Sequence, residues 1–323
     1  MKKNIAVIEG GFSSEAEISY KSSETVRENL DNEKYNIWQV RIENDGWNLV
    51  QGDALSPINK DDFSATVNGE TIQFDVAFII IHGTPGEDGK LQGYFDMLNI
   101  PYTTCDQFTS ALTFNKFYCN RVLLSLGFNC ATSVFLTKKD VVNTKEIIAQ
   151  VGLPCFVKPA DGGSSFGASK VDTEDQLPAA IQLALEHGSS AIIEEYLKGT
   201  EVTNGVFSLG GKTTVLPITE IVTTNEFFDY KAKYKGESQE ITPARLDEEM
   251  TKKIQALTQR AYEALKLKGV CRIDYIIKEN TPYLVEINTV PGQSKQSIIP
   301  QQAACVGITL PQLYNGLLEE CFN

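Results

Sequence analysis

The chain reads as an α/β protein in which a small doubly wound parallel-sheet domain leads into α+β units. Three observations carry this expectation. Apolar strand patterns alternate with helical ones over the first hundred residues, and the continuous apolar run Asp75 to His82 has the composition of a parallel strand buried on both faces. Beyond it the order becomes strand, Gly/Ser-rich turn, strand, helix, strand, which a uniform βαβ array does not produce. At 323 residues the chain also exceeds the size at which one core stops growing, so two or three subdomains with a cleft between them are expected.

Element by element, Asn4 to Ile8 forms the first strand and ends in a glycine turn. The helix after it carries Ile18, Val26 and Leu30 on one face, and Trp38, Val40 and Ile42 alternate along the next strand. A variable stretch separates that strand from the buried run. Thr109 to about Leu126 follows a helical pattern, and short elements lead to the Gly/Ser loop Asp161 to Gly167. Strands near Val202 to Phe207 and Thr214 to Ile218 come next. After a polar segment there follow a long helix from Asp247 to Leu267, strands Val270 to Ile277 and Tyr283 to Asn288, and a last helix near Leu310 to Glu320. The polar segment holds Phe227, Phe228, Tyr230 and Tyr234, and long aromatic-bearing loops of this kind are often lids over a site.

Composition narrows the function classes. Hydrophobic content of 42% with 22% charged residues describes a folded soluble chain. A net charge of -13 argues against nucleic-acid and anionic-membrane partners, which are held by clustered Lys and Arg. No apolar run is long enough for a signal peptide or a bilayer span, and the seven scattered cysteines contain no Cys-x-x-Cys pair, so a cytoplasmic location with reduced thiols is expected. A nucleotide needs only a few local cations, and the open question is whether Lys116, Lys158, Lys233 and Arg272 converge.

The strongest local signal is Arg272-Ile273-Asp274 followed, after a hairpin, by Glu286-Ile287-Asn288. Alternation puts the outer residues of each triplet on one face, so paired strands could present all four side chains together. Two carboxylates and an amide oxygen suit Mg2+, and Arg272 beside them suits an oxyanion or phosphate. A solvated face with cross-strand salt bridges is the bland alternative, made less attractive by the apolar Val270, Ile277, Leu284 and Val285 on the same strands. Gly163 to Gly167 permits close backbone approach to phosphates and also matches the serine-hydrolase elbow Gly-x-Ser-x-Gly. The hydrolase reading fails on histidine supply, because His187 is the only later histidine and precedes any plausible acid. Gly10 to Glu15 and His82 to Gly89 each follow a strand, where open α/β sheets place ligands, and Glu15 there could recognise an amino group.

Taken in order, these segments resemble the D-alanine-D-alanine ligases of the ATP-grasp superfamily. The resemblance runs nearly end to end: Gly10-Gly11 through Glu15 and Ser19, HGTPGEDG with Leu91-Gln92-Gly93, Lys116, GLPCFVKP, GSSFG, Ile193-Glu194, Gly199, Glu201, FFDYKAKY, Arg272-Ile273-Asp274, and Glu286 to Thr289 with Pro291-Gly292. It implies an ATP-grasp fold preceded by the doubly wound domain. The domains would be 1–105, 106–200 and 201–323, with a lid loop over 223–243. The implied reaction joins two D-alanines through an acyl phosphate, releasing ADP and phosphate, for peptidoglycan precursor synthesis.

By the same resemblance Lys116 and Lys158 contact the nucleotide and its phosphates, Glu194 and Leu197 lie by the adenine, and Glu201 holds the ribose. Ser164, Ser165, Phe227 and Lys233 complete the ATP set. Asp274, Glu286 and Asn288 would ligate two Mg2+ ions, with Mn2+ as a substitute. Glu15 and His82 would hold the first D-alanine, Lys233 and Ser297 the carboxylate of the second, and Arg272 with the Gly292 amide the oxyanion. Glu15, Ser164 and Tyr234 correspond to a hydrogen-bonded set tying the lid to the first domain, and tyrosine at 234 favours an amine over the D-lactate hydroxyl. A homodimer is the family tendency. Departures from the family pattern occur at Ala16, at Asp161-Gly162, and at Gln293 with Lys295-Gln296. The last group borders the second substrate and keeps D-serine or another amino acid open there. An ATP-sensing binder that lost turnover would lack a metal carboxylate or Arg272, and none is missing.

Overall fold

The computed structural model describes residues 2–162, 166–223 and 238–322. Among these residues there are three sheets. The first runs β6-β5-β4-β3-β2-β1-β7, where β1 is Lys3–Gly10, β2 Tyr35–Glu43, β3 Gly46–Gln51, β4 Ala54–Asn59, β5 Ser64–Val67, β6 Glu70–Ile72 and β7 Val76–Ile79. Only β1, β2 and β7 pair in parallel; β2 through β6 form an antiparallel meander. The parallel core therefore fits the doubly wound expectation, and the variable stretch is four further strands. Its Asn68-Gly69 turn takes φ of 51° and 84°, the left-handed pair that a two-residue hairpin demands.

Both faces of the parallel strands are covered. Ile5 and Val7 pack with Val26 and Leu30 and with Leu313, Tyr314 and Leu317 of the helix Leu310–Glu320. Ala6, Ile8, Val40 and Ile42 pack with Leu91 and Phe95 of the helix Lys90–Leu98. The helix Ala16–Asn29 departs from its expected apolar face. It buries Ser19, Ser22, Ser23, Thr25 and Val26, while Ile18 stays half-buried. Small hydroxyl side chains let it approach the sheet closely and supply bonds where the strands end: Ser19 Oγ accepts from Gly10 N at 3.0 Å and donates to Ile80 O at 2.8 Å.

The second sheet, order β10-β9-β11-β8, is antiparallel: β8 is Ser133–Thr137, β9 Cys155–Pro159, β10 Ser169–Val171 and β11 Ser190–Glu195. Helices Thr144–Val151 and Leu177–His187 pack against it. The third sheet, order β14-β13-β12-β15-β16, is also antiparallel: β12 is Thr200–Leu209, β13 Lys212–Thr223, β14 Ser238–Ile241, β15 Val270–Lys278 and β16 Thr281–Asn288. The long helix Glu248–Ala264 packs on it and is capped by Asp247, which accepts from Met250 N at 2.7 Å. A short helix, Ile298–Cys305, follows β16.

The helical pattern from Thr109 to Leu126 is broken. Gln107–Phe114 and Lys116–Ser125 are separate helices, because Asn115 takes an extended conformation and caps the second by accepting from Tyr118 N at 3.2 Å. Lys116 N bonds Ala160 O at 2.8 Å, so the break anchors the second helix to the end of β9. Lys116 thereby opens a helix instead of sitting inside one.

Candidate active site

Strand register assembles the centre of the site. Arg272 lies opposite Asn288 and Asp274 opposite Glu286 on β15 and β16, and Thr203 of β12 lies opposite Asp274. Arg272 Nε and Nη2 donate to the two oxygens of Asp274 at 3.0 and 2.9 Å. Asn288 Nδ2 donates to Asp274 Oδ2 at 3.0 Å, and Thr203 Oγ1 donates to Oδ1 at 2.5 Å. Lys116 Nζ stands 3.7 Å from Glu286 and donates to Gly162 O at 2.6 Å. The ion pair Arg272–Asp274 runs along one strand, and the cross-strand contact is the Asn288 hydrogen bond, so the cross-strand salt bridge weighed as the bland alternative is not what forms in this cavity wall.

That inner cavity, of about 330 Å³, gathers Glu15, His82, Lys116, Glu201, Arg272, Asp274, Glu286, Asn288, Gly292 and Ser297. An outer one, of about 1070 Å³, gathers Glu15, Lys116, Lys158, Glu194, Leu197, Glu201 and Glu286. Glu15, Lys116, Glu201 and Glu286 line both, so the two are adjoining parts of one cleft. Of the four cations whose convergence was in question, Lys116 joins Lys158 in one and Arg272 in the other. Lys233 lies outside the described residues, as do Ser164, Ser165, Phe227 and Tyr234 and the segment 224–237 of the expected lid.

Lys158 of β9 is cross-strand to β11 and makes a 2.6 Å ion pair with Glu194, whose other oxygen accepts from Asn120 at 3.1 Å. Burial alone would lower the Lys158 pKa; Glu194, Glu286 and Glu201 together hold it above its ordinary value. The lysine is charged wherever the site operates.

His82 is buried with both ring nitrogens engaged. Nδ1 is 2.7 Å from Val290 O and Nε2 is 3.3 Å from Ser22 Oγ, which also accepts from Gln293 N at 3.1 Å. Nδ1 therefore carries the proton, and burial pushes the ring pKa down, against the pull of Glu15. Glu87 holds the other side of the same residue: its oxygens accept from Val290 N at 3.0 Å and from Gly83 N at 2.7 Å. Burial, reinforced by Glu15, raises its pKa to about 7. His82 and Glu87 clamp Val290 two residues before Gly292, and in this arrangement His82 presents neither nitrogen to a substrate. Ser297 Oγ lies 2.8 Å from Ser294 Oγ, and a Cβ on Gly292 would come within 2.8 Å of Ser297 Oγ. A side chain at 292 would therefore require Ser297 Oγ to move.

Sequence reasoning quoted the segment containing Glu87 without giving that residue a role, and it missed Ser22, Asn120 and Thr203 altogether. His187 ends its helix and stacks on Phe166, ring centroids 6.4 Å apart.

The oxygen donors fit a hard divalent cation. Asp274 and Glu286 face each other across the ladder with Asn288 beside them, and among the described residues no cluster of three His, Cys, Asp or Glu competes for a softer metal. Among those residues, too, no helix is long and apolar enough to cross a membrane.

Comparison with known proteins agrees in extent with this geometry. Residues 4–105 match the family model described as D-ala D-ala ligase N-terminus, and residues 122–319 match D-ala D-ala ligase C-terminus. A D-alanine–D-alanine ligase of Flavobacterium johnsoniae is 52% identical over 98% of each chain. The crystal structure of the VanG D-Ala:D-Ser ligase from Enterococcus faecalis superposes with a TM-score of 0.90 at 32% identity, covering 99% of both chains. That of a Bacillus anthracis D-alanine–D-alanine ligase complexed with ATP gives 0.79 at 29%, covering 99% of this chain and 97% of that one.

Proposed function

Because the chain belongs to the D-alanine–D-alanine ligase family, we infer that it joins two D-alanines into D-alanyl-D-alanine with ATP, supplying a peptidoglycan precursor. The observation that carries this reading is the register of β15 on β16, which sets Arg272, Asp274, Glu286 and Asn288 together against Lys116. The outer cavity takes ATP, its phosphates toward Lys116 and Lys158 and its base toward Glu194 and Leu197, with Glu201 at the ribose. The inner cavity takes the amino acids.

Asp274, Glu286 and Asn288 would hold Mg2+, which neutralises and aligns the phosphates during transfer. Lys116 and Lys158 add positive charge along the path of the γ-phosphoryl group to the first D-alanine carboxylate. Glu15 receives that amino acid's ammonium. The amine of the second attacks the acyl phosphate, and Arg272 with the Gly292 amide stabilises the oxyanion that forms. The His82 and Glu87 clamp fixes the loop on which that amide rides, and Ser297 meets the second carboxylate. Ser164, Ser165, Phe227, Lys233 and Tyr234 belong to the same reading by resemblance. Subdomain limits at 105 and 200, a cytoplasmic location and a homodimer are parts of it too. A different second amino acid such as D-serine is not favoured, since the 52% identical relative is named for D-alanine.

ATP-dependent phosphate release over a panel of D- and L-amino acids and D-lactate tests the proposal. D-alanine should give the largest response. Silence with D-alanine would overturn it, and a stronger response to another acceptor would overturn its specificity.

A further inference from the structure

The half-buried carboxylate of Glu240 lines the inner cavity, yet no role above uses it. Register fixes its place. Glu240 on β14 lies opposite Ile221, and Ile221 opposite Glu201, so Glu240 looks out from the same sheet face as Glu201. In the cavity wall it keeps company with Gln296, Ser297 and Arg272, whereas Lys158 and Glu194 line only the outer part of the cleft. Gln301 Nε2 donates to Glu240 Oε2 at 2.9 Å and to Gln296 O at 2.7 Å, tying the carboxylate to the segment that carries Ser297. Burial raises its proton affinity, and the Gln301 hydrogen bond and then Arg272 offset this only in part. A carboxylate in that position repels phosphate and attracts an ammonium group.

Resting on the ligase reading, we propose that Glu240 is the acceptor-side amino-group site: its carboxylate receives the ammonium of the second amino acid and takes one of its protons as the amide forms. An amino acid arrives as an ammonium with no lone pair to attack. Transfer of one proton to Glu240 gives a free amine and a neutral carboxyl. The nitrogen then bonds to the acyl carbon, the carbon–oxygen bond to phosphate breaks, and phosphate leaves with that electron pair. The second nitrogen proton departs with it, and Glu240 returns its own to solvent. The groups around Glu240 suit this work: Gln301 holds one oxygen in place, and Arg272 is the one charged side chain among the described residues whose field it feels appreciably. A carboxyl with raised proton affinity is the better acceptor near neutral pH.

Glu240→Gln separates the two halves of the reaction. Dipeptide formation reads both halves, while capture of the acyl phosphate by hydroxylamine, a small neutral amine, reads only the first. The variant should lose roughly 10²-fold in kcat/KM for dipeptide formation, the lower end of what a positioned proton acceptor contributes. Hydroxamate formation should stay within about twofold of wild type, and the acidic limb of the dipeptide pH profile should flatten. Equal loss of both products, or of neither, overturns the assignment. Wild type yielding neither product would instead defeat the ligase reading itself. Should Glu240→Gln not fold, Gln301→Ala carries the same comparison, with a dipeptide-only loss of about tenfold expected and an equal loss in both products overturning it.

Discussion

Replacing Glu87 with Gln probes the clamp that joins the His82–Gly83 loop to the loop bearing Gly292. The two oxygens of Glu87 accept from Gly83 N at 2.7 Å and from Val290 N at 3.0 Å. A carboxamide keeps one accepting oxygen and turns an NH2 toward the other amide, and a buried donor left without an acceptor costs about 1–3 kcal/mol. The ionisation effect has the opposite sign. With its folded pKa raised from 4.5 to about 7, Glu87 contributes fully below the unfolded value and loses that contribution as pH rises through the folded one. The window is therefore 4.5 to about 7. At 1.36 kcal/mol per pKa unit its ceiling is about 3 kcal/mol, reduced because the side chain is only half-buried. Glu87→Gln has no such dependence. Its stability relative to wild type should therefore rise from about pH 5 to about pH 8, measured as paired urea midpoints at fixed pH. Turnover should respond the other way, since the ionised wild type holds both amides and the variant one. A relative stability that stays constant or falls across that range would refute the raised pKa and the clamp built on it.

Asp274→Asn should abolish phosphate release with D-alanine while leaving a folded protein, because the amide still accepts from Arg272 but no longer carries charge; retained turnover would remove Asp274 from the metal set. Lys158→Met leaves Glu194 buried with Asn120 still donating to one of its oxygens, and loss of one member of a buried pair costs about 3–5 kcal/mol. Urea denaturation should show that loss, and adding Glu194→Leu to the variant should recover most of it. Gly205→Ala would place a Cβ 2.5 Å from Gln302 Oε1 and 2.6 Å from Ile299 Cδ1, displacing the bond from Gly205 N to Gln302 at 2.9 Å. Overpacking of this kind costs about 1–3 kcal/mol, readable as a lowered melting temperature with the far-ultraviolet dichroism unchanged.

How much was legible follows from the range of each interaction. The presentation of Arg272, Asp274, Glu286 and Asn288 was readable because a strand repeats every two residues and a hairpin fixes its own register. The buried run ending at Ile81 was readable from composition alone. The Val290 clamp was not, since Glu87 meets a peptide 203 positions away and one glutamate in a glycine-rich loop looks like a turn residue. The serine face of the first helix was misread because burial there serves hydrogen bonds at strand ends as well as apolar packing. The four strands added to the meander carried a usable signal in Asn68-Gly69 that was passed over. The break at Asn115 was smoothed away because apolar periodicity continues through it, while the cap that causes it depends on one side chain.

That break matters more to the site than its size suggests. Asp274 and Glu286 are cross-strand neighbours, and two carboxylates so placed repel more strongly as water is excluded. Each is answered by a cation from a different direction. Arg272, two residues along the same strand, donates twice to Asp274. Lys116 approaches Glu286 from another helix, and it faces the cleft because the chain restarts its helix at that residue, anchored through Ala160 to the end of β9. Were the helix continuous through Asn115, the end of β9 would lose that anchor and Lys116 its placement. Glu286 would then face Asp274 without this counter-charge. The acidic pair that suits a metal and the lysine that suits a phosphate are therefore consequences of one arrangement. The cap at Asn115 ties the end of β9, beside the outer part of the cleft, to its acidic wall.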